Sequence, residues 1–376
     1  MLHVTALSPR WILLAAFALG AAGCRSQDSP AMPSGGGSSG EAGQARGGVG
    51  SGATGGSANS AGGTSATADS GEGAMGGACD LPALDAAGCE HPPVRAQCAD
   101  GWCQLPAGCF IMGAPPCEWG RAQKSENEMR TTLSHAFEIQ QYELTQQQWT
   151  EQGLPNPSGS RQDGADCMDP QCPVGKVSLT EAMAYANLLS EKHSPPLPSC
   201  YELSGCSGKL GVDLSCTSRS AVGKNVYECG GYRLPTAAEW EYAARAGART
   251  AFYEGDITPH AGIGVCAADS ALEPIAWYCF NSGKTTHAVG LKQPNGWGLH
   301  DMLGNASEWT TGATSDTHRP PSATDYEGVF VDDLLFPSRG GFMNGDSLTC
   351  RLAAQLPSPP NERGPGFGFR LVRTLP

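Results

Sequence analysis

Sixteen cysteines and 37 acidic side chains are where this 376-residue chain can do chemistry. Thiolates hold soft metals, carry redox reactions or pair as disulfides. No Cys-x-x-Cys pair occurs, so a structural zinc site lacks its usual ligand spacing. Short loops suggest the bridges Cys167–Cys172 and Cys266–Cys279. Cys200, Cys206, Cys216 and Cys229 can form two nested bridges in one Gly/Ser-rich loop. The six cysteines from Cys79 to Cys117 can form three more, and their connectivity stays open. Cys350 is left over; it reads as a buried inert thiol, or one in a different pairing, before it reads as a reactive one.

Other catalytic patterns are sparse. Gly345-Asp346-Ser347-Leu348 spells the serine block of one esterase class, whose His base should lie downstream. The last histidine is His318, ahead of Ser347, so the order argues for chance. No Gly-x-Ser-x-Gly elbow, His-Glu-x-x-His zinc helix or phosphate loop is present. His135, His287 and His300 read as hydrogen-bonded loop residues.

The elements that must position these groups are short. Cys109 to Gly113 predicts a strand stopped by glycine, and His135 to Leu144 predicts another around Phe137, Ile139 and Tyr142. Thr145 is an N-cap for a short helix carrying Trp149. Ser178-Leu179-Thr180-Glu181 and Thr236-Ala237-Ala238-Glu239 are capping boxes opening two helices. The second should end in the left-handed region at Gly247. Long Gly/Pro-rich stretches, Ala248 to Gly290 and Thr310 to Pro337, need cross-links or ions to hold them.

Composition sets the compartment. A net charge of −13 argues against nucleic acid, which needs a basic face. Arg10 precedes the apolar run Trp11 to Ala22, which is too short to span a bilayer. The run ends in Ala21-Ala22-Gly23-Cys24, which resembles the lipobox of bacterial lipoproteins, with Cys24 as the lipidated residue. Residues 1–23 are then an export signal. Residues 24–78 are a Gly/Ser/Ala-rich tether; 17 of the 48 residues from Ala31 to Ala78 are glycine. Such a coil reaches about 40 Å on average. Residues 79–100 form a Cys-containing extension and 101–376 the folded domain. Sixteen cysteines in an exported chain favour disulfides over metal.

One ordered series of motifs carries a resemblance. It runs Gly108-Cys109-Phe110-Ile111-Met112-Gly113; Glu143-Leu144-Thr145; Pro173-Val174 with Val177-Ser178; and Gly231-Tyr232-Arg233-Leu234-Pro235-Thr236. It continues through Glu239-Trp240-Glu241-Tyr242-Ala243-Ala244-Arg245, Asn295-Gly296-Trp297-Gly298-Leu299, Asp301-Met302-Leu303-Gly304-Asn305 and Glu308-Trp309. Arg339-Gly340-Gly341 and Gly368-Phe369-Arg370 close it. In this order the motifs resemble the formylglycine-generating enzyme family, also called sulfatase-modifying factors. The resemblance implies an α+β, loop-rich, disulfide-stabilised domain with an elaborated C-type-lectin-like fold. It makes Glu239 and Arg245 structural ion-pair members.

The resemblance also implies two metal sites. A structural calcium would take the Asp301 side chain, the Gly304 and Ala306 carbonyls and the Glu308 side chain. Calcium takes six to eight hard oxygen ligands, which such a turn can supply. Asp301 stands where the family has Asn, and Ser307 where it has Trp. The family's oxidase holds copper between two cysteines five residues apart, just after the glycine pair. Here the first position is Gly345, and the family's serine position is Phe342. At best Cys350 survives, as the one catalytic candidate, so copper is not expected.

Two functions follow, from different classes. One is a lipid-anchored module on a bacterial membrane, periplasmic or on the cell surface, binding a protein, peptide or glycan. Trp119, Trp277, Tyr278 and Trp297 are its candidate surface aromatics. The alternative is an active oxidase that converts a sulfatase cysteine to formylglycine, or a related peptide- or cysteine-modifying enzyme.

Overall fold

The computed structural model describes residues 83–122, 125–158, 167–260, 262, 264–312, 320–327 and 335–376. The signal segment 1–23, Cys24, the tether 24–78 and Cys79 lie outside the described residues. No helix among the described residues is long and apolar enough to cross a membrane.

Short strands in small sheets dominate. In the first sheet, Cys98–Ala99, Trp102–Leu105, Phe137–Gln140 and Val372–Thr374 lie side by side, all antiparallel. The edge strand at Cys98 lies ahead of the expected domain start at residue 101. In the second, Leu356–Ser358, Phe336–Arg339 and Ser307–Trp309 run antiparallel, with Phe367–Gly368 parallel to Ser307–Trp309. A third sheet sets Met129–Leu133 between Gly108–Met112 and Ser322–Thr324. The strand predicted at Cys109 stops at Met112 because Gly113 turns to φ +100°.

Among the described residues three α-helices brace the sheets, and each opens on a capping box. Thr145 caps α1 (Gln146–Glu151) with Gln148, Ser178 caps α2 (Leu179–Lys192) with Glu181, and Thr236 caps α3 (Ala237–Arg245) with Glu239. The reciprocal side-chain bonds satisfy donors that have no intrahelical partner. α3 ends one residue earlier than Gly247 predicts: Ala246 takes the left-handed region at φ +45°, and Gly247 continues it at φ +87°.

The apolar side chains gather in two cores. One packs Phe137, Trp240, Tyr242, Phe252, Tyr278 and Trp297; the other packs Trp149, Tyr185, Trp309 and Phe369. Tyr278 and Trp297 are therefore core, not surface: loop residues here fold inward to supply the bulk that short elements lack. Trp119 and Trp277 stay half-buried.

Buried ion pairs tie distant loops to this frame. Arg233 grips Glu239 with two bonds of 2.7 Å. Glu241 accepts from Gly113 N at 2.7 Å, from Arg245 at 2.8 Å and from Arg339. Glu239 and Arg245 thus hold structure, each inside a buried ion-pair network. Such pairs add little net stability but are costly to break singly.

Disulfides fasten the loops. The structure pairs Cys167 with Cys172, Cys266 with Cys279, Cys200 with Cys229 and Cys206 with Cys216. It also pairs Cys89 with Cys109 and Cys98 with Cys103, and Cys117 is disulfide-bonded as well. Among the described residues Cys350 alone is free. This bridge density marks an extracytoplasmic protein.

Candidate functional site

The segment after strand Phe336–Arg339 is where the resemblance places catalysis. Gly340 and Gly341 both sit at positive φ, +90° and +75°. A Cβ on Gly341 would stand 2.6 Å from Cys350 Sγ. The chain thus folds tightly back over Cys350, which is 0% exposed. Burial pushes its thiol up to about 12, and the Asp346 charge adds to the rise. The next residue locks the segment: Arg351 donates to Glu126 at 2.8 and 3.0 Å, to Glu118 at 2.7 Å and to Gly120 O at 2.8 Å. Gly345 stands at the other thiol position and offers no side chain.

Ser347 does meet a histidine, although sequence order argued against one. His260 Nε2 lies 2.7 Å from Ser347 Oγ, across 87 residues. The rest of a triad is missing: His260 Nδ1 is buried without a partner, so no carboxylate orients the ring. Asp346 is used elsewhere, accepting from Gly264 N and Thr349 N. Ser347 is only 1% exposed. This contact, with that of Gly264 N on Asp346, joins His260 and Gly264 to the segment. Among the other histidines, His135 contacts Ser134 and Asp325, His287 contacts Ser282 O and His300 contacts Lys292 O.

The turn from Asp301 to Glu308 holds a charge-rich centre. Asp301 and Asn305 adopt left-handed backbone, φ +54° and +56°, as the turn doubles back. Asp301 Oδ2 accepts from Gly290 N at 2.7 Å, while Oδ1 is buried without a partner. Glu308 accepts from Arg370 Nε at 2.9 and 2.8 Å, from Arg370 Nη2 at 2.7 Å and from Trp240 Nε1 at 2.8 Å. Glu143 joins from the end of strand Phe137–Gln140. Its oxygens accept from Ala306 N at 2.8 Å and Asn305 Nδ2 at 2.7 Å. Burial raises its carboxyl well above the usual range, and the charges of Asp301 and Glu308 raise it further. Burial likewise raises Asp301.

Three buried carboxylates thus face one guanidinium, Arg370. The unpaired Asp301 Oδ1 suits a hard cation. Glu308 is already engaged: Arg370 Nε and Nη2 and Trp240 Nε1 hold both of its oxygens. Asp301 thus has an open oxygen for a hard cation, while Glu308 is paired with Arg370 and Trp240. Glu143 and Arg370 stand inside the sequence motifs, but no local pattern marks their roles. An acid beside a helix N-cap and an arginine after Gly-Phe were the available signals.

Comparison with known proteins places this geometry. The profile of the sulfatase-modifying factor enzyme 1-like domain matches residues 90–375. The chain is similar to a protein named chaperone protein LppX from Paenibacillus barcinonensis, 28% identical over 67% of this chain and 85% of that one. It is similar to the formylglycine-generating enzyme of Mycobacterium tuberculosis, 34% identical over 38% of this chain and 51% of the enzyme. The chain thus spans about half the length of that enzyme. Among solved structures it is similar to Treponema denticola variable protein 1, with a TM-score of 0.57 and 25% identity over 72% of this chain and 94% of that one. PvdO from Pseudomonas aeruginosa shares the fold, with a TM-score of 0.51 and 23% identity over 73% of this chain and 94% of that one.

Proposed function

The chain belongs to the sulfatase-modifying factor family, and we propose that within it this protein is an exported, lipid-anchored binding module, not an oxidase. One observation carries the reading. The single cysteine in the segment of the family's copper site is sealed at 0% exposure, with its thiol pushed up to about 12. A bis-thiolate copper site needs two ionised, accessible thiols. Gly345 cannot supply the other.

The anchor is Cys24, and the compartment is the periplasmic or outer face of a bacterial membrane. The disulfides support an oxidising location. The partner is an extracytoplasmic protein, peptide or glycan. Calcium is part of the proposal in narrowed form: Asp301 Oδ1 is the anchoring ligand, the carbonyls of Gly304 and Ala306 complete the turn's contribution, and Glu308 serves as the counter-ion of Arg370. A bound cation there would offset the buried negative charge. Calorimetric titration of chelator-treated protein tests this point, and an absence of calcium heat removes it.

The deciding experiment incubates the purified full chain with a copper salt, reductant, O₂ and a sulfatase-motif peptide, followed by mass spectrometry. We expect unchanged peptide. Conversion of its cysteine to formylglycine overturns the reading in favour of the oxidase, the activity carried by the name of the enzyme that is 34% identical.

A further inference from the structure

An open cleft of about 450 Å³ lies beside the carboxylate centre, on the face made by the end of strand Phe137–Gln140 and by α1. Its lining is rich in neutral polar side chains. Gln140, Gln148 and Gln171 supply amides, Thr145 a hydroxyl and Tyr142 a phenol ring. No Lys, Arg or His lines it. Glu143 is the one acid, and both of its oxygens are occupied by Ala306 N and Asn305 Nδ2. Beyond Glu143, which is turned to the carboxylate centre, the cleft presents dipoles and no positive charge.

Several of those dipoles have unused capacity. The Gln148 carbonyl accepts from Thr145 N at 3.0 Å, but its amide nitrogen has no partner among the described residues. Gln171 donates to Gln147, and its carbonyl oxygen has none. Gln140 accepts from Leu371 N at 2.8 Å, and its amide nitrogen has none. Each amide is thus held at one end and open at the other. A donor–acceptor pair presented this way matches a hydroxyl, which both gives and takes a hydrogen bond.

The aromatic member is also fixed. The Tyr142 ring lies 5.1 Å from the His300 imidazole, centroid to centroid. On another side it rests against Gly290, where a Cβ would come within 2.8 Å of Cε1. A ring held by its neighbours loses little entropy on binding. Its apolar face can cover the C–H face of a sugar while the amides bind the equatorial hydroxyls. An anion finds no cation here. A peptide side chain finds no deep apolar pocket.

We propose that this cleft binds a neutral saccharide, with Tyr142 as the stacking platform and Gln148, Gln171 and Gln140 as the hydroxyl-reading groups. The proposal rests on the binding-module reading and names its ligand class and site. The test uses the full chain on an array of neutral oligosaccharides (glucan, mannan, galactan and chitin fragments), with acidic oligosaccharides and peptides alongside. Hits are measured by calorimetry at low and high salt. We expect a neutral hit whose affinity is insensitive to salt. Tyr142→Ala and Gln148→Ala should each weaken it by about tenfold, the size of one lost contact, with the thermal midpoint retained. Tyr142→Phe, which keeps the platform, should bind within about threefold of wild type, a difference smaller than one lost hydrogen bond. Binding only to acidic glycans or peptides overturns the saccharide while leaving the module reading intact. No hit, or a hit indifferent to both alanine variants, overturns the cleft. Formylglycine formation in the peptide assay overturns the module reading independently of any sugar result.

Discussion

Cys350 gives the sharpest quantitative handle on this protein. At pH 8 a thiol at its ordinary value of 9.0 is about one-tenth ionised, and one at about 12 is about one ten-thousandth ionised. Thiolate fraction alone therefore slows alkylation or disulfide exchange by about a thousandfold relative to free cysteine. Zero exposure adds the requirement that the segment open first, so the observed rate should track local or global unfolding. The assay is thiol titration of the oxidised full chain with a chromogenic disulfide, native and in denaturant. Cys350→Ala serves as the blank, so any other free thiol cancels. We expect a difference of one thiol in denaturant and none in native buffer over many half-lives of free cysteine. A prompt native difference of one thiol refutes the reasoning, because it requires an ionised and reachable Cys350.

Three further outcomes follow from the packing. Arg370→Met strands Glu308 beside Glu143 and Asp301 without a counter-ion, and urea unfolding should show a loss of about 3–5 kcal/mol; an unchanged midpoint would mean the charges are not buried as described. Removing Cys200–Cys229 with a double serine variant frees a loop with a sequence separation of 29 residues and should cost about 2–4 kcal/mol by the same measurement. Burial raises the Glu181 carboxyl, so the native state holds its proton to higher pH than the unfolded chain does. Its contribution is complete below the unfolded value and fades as pH rises through the native one, so stability falls with rising pH in that window. Glu181→Gln keeps the capping box and should flatten the decline above the ordinary carboxylate range; an identical slope would exclude Glu181 as its source.

What the sequence shows and hides follows from distance along the chain. The caps at Ser178 and Thr236 are legible because Ser/Thr and Glu three residues apart must meet once a helix starts. Cys167–Cys172 is legible for a similar reason, since a short loop leaves few alternatives. Glu143 reaching Asn305 across 162 residues has no local signature, nor does His260 reaching Ser347. Tyr278 and Trp297 look like surface aromatics because their surroundings are polar and irregular, and only the tertiary fold turns them inward. The cleft is invisible for the same reason: its glutamines come from a strand end, a helix and a distant loop.

Strand order in the first sheet bears on how the protein can be made. Val372–Thr374 pairs with Phe137–Gln140, whose other neighbour is Trp102–Leu105. Arg370, just ahead of that strand, neutralises Glu308. A chain delivered N-terminus first through a translocation pore would present the residues between Gln140 and Val372, more than half of its length, while this sheet still has an open edge. Its close-range bridges can form during that passage, but the seam closes only when residues 370–374 emerge. Completion is thus coupled to the emergence of this last strand of the sheet. A chain stalled before that point would expose a hydrogen-bonding edge and uncompensated acid, the kind of surface that quality-control proteases recognise.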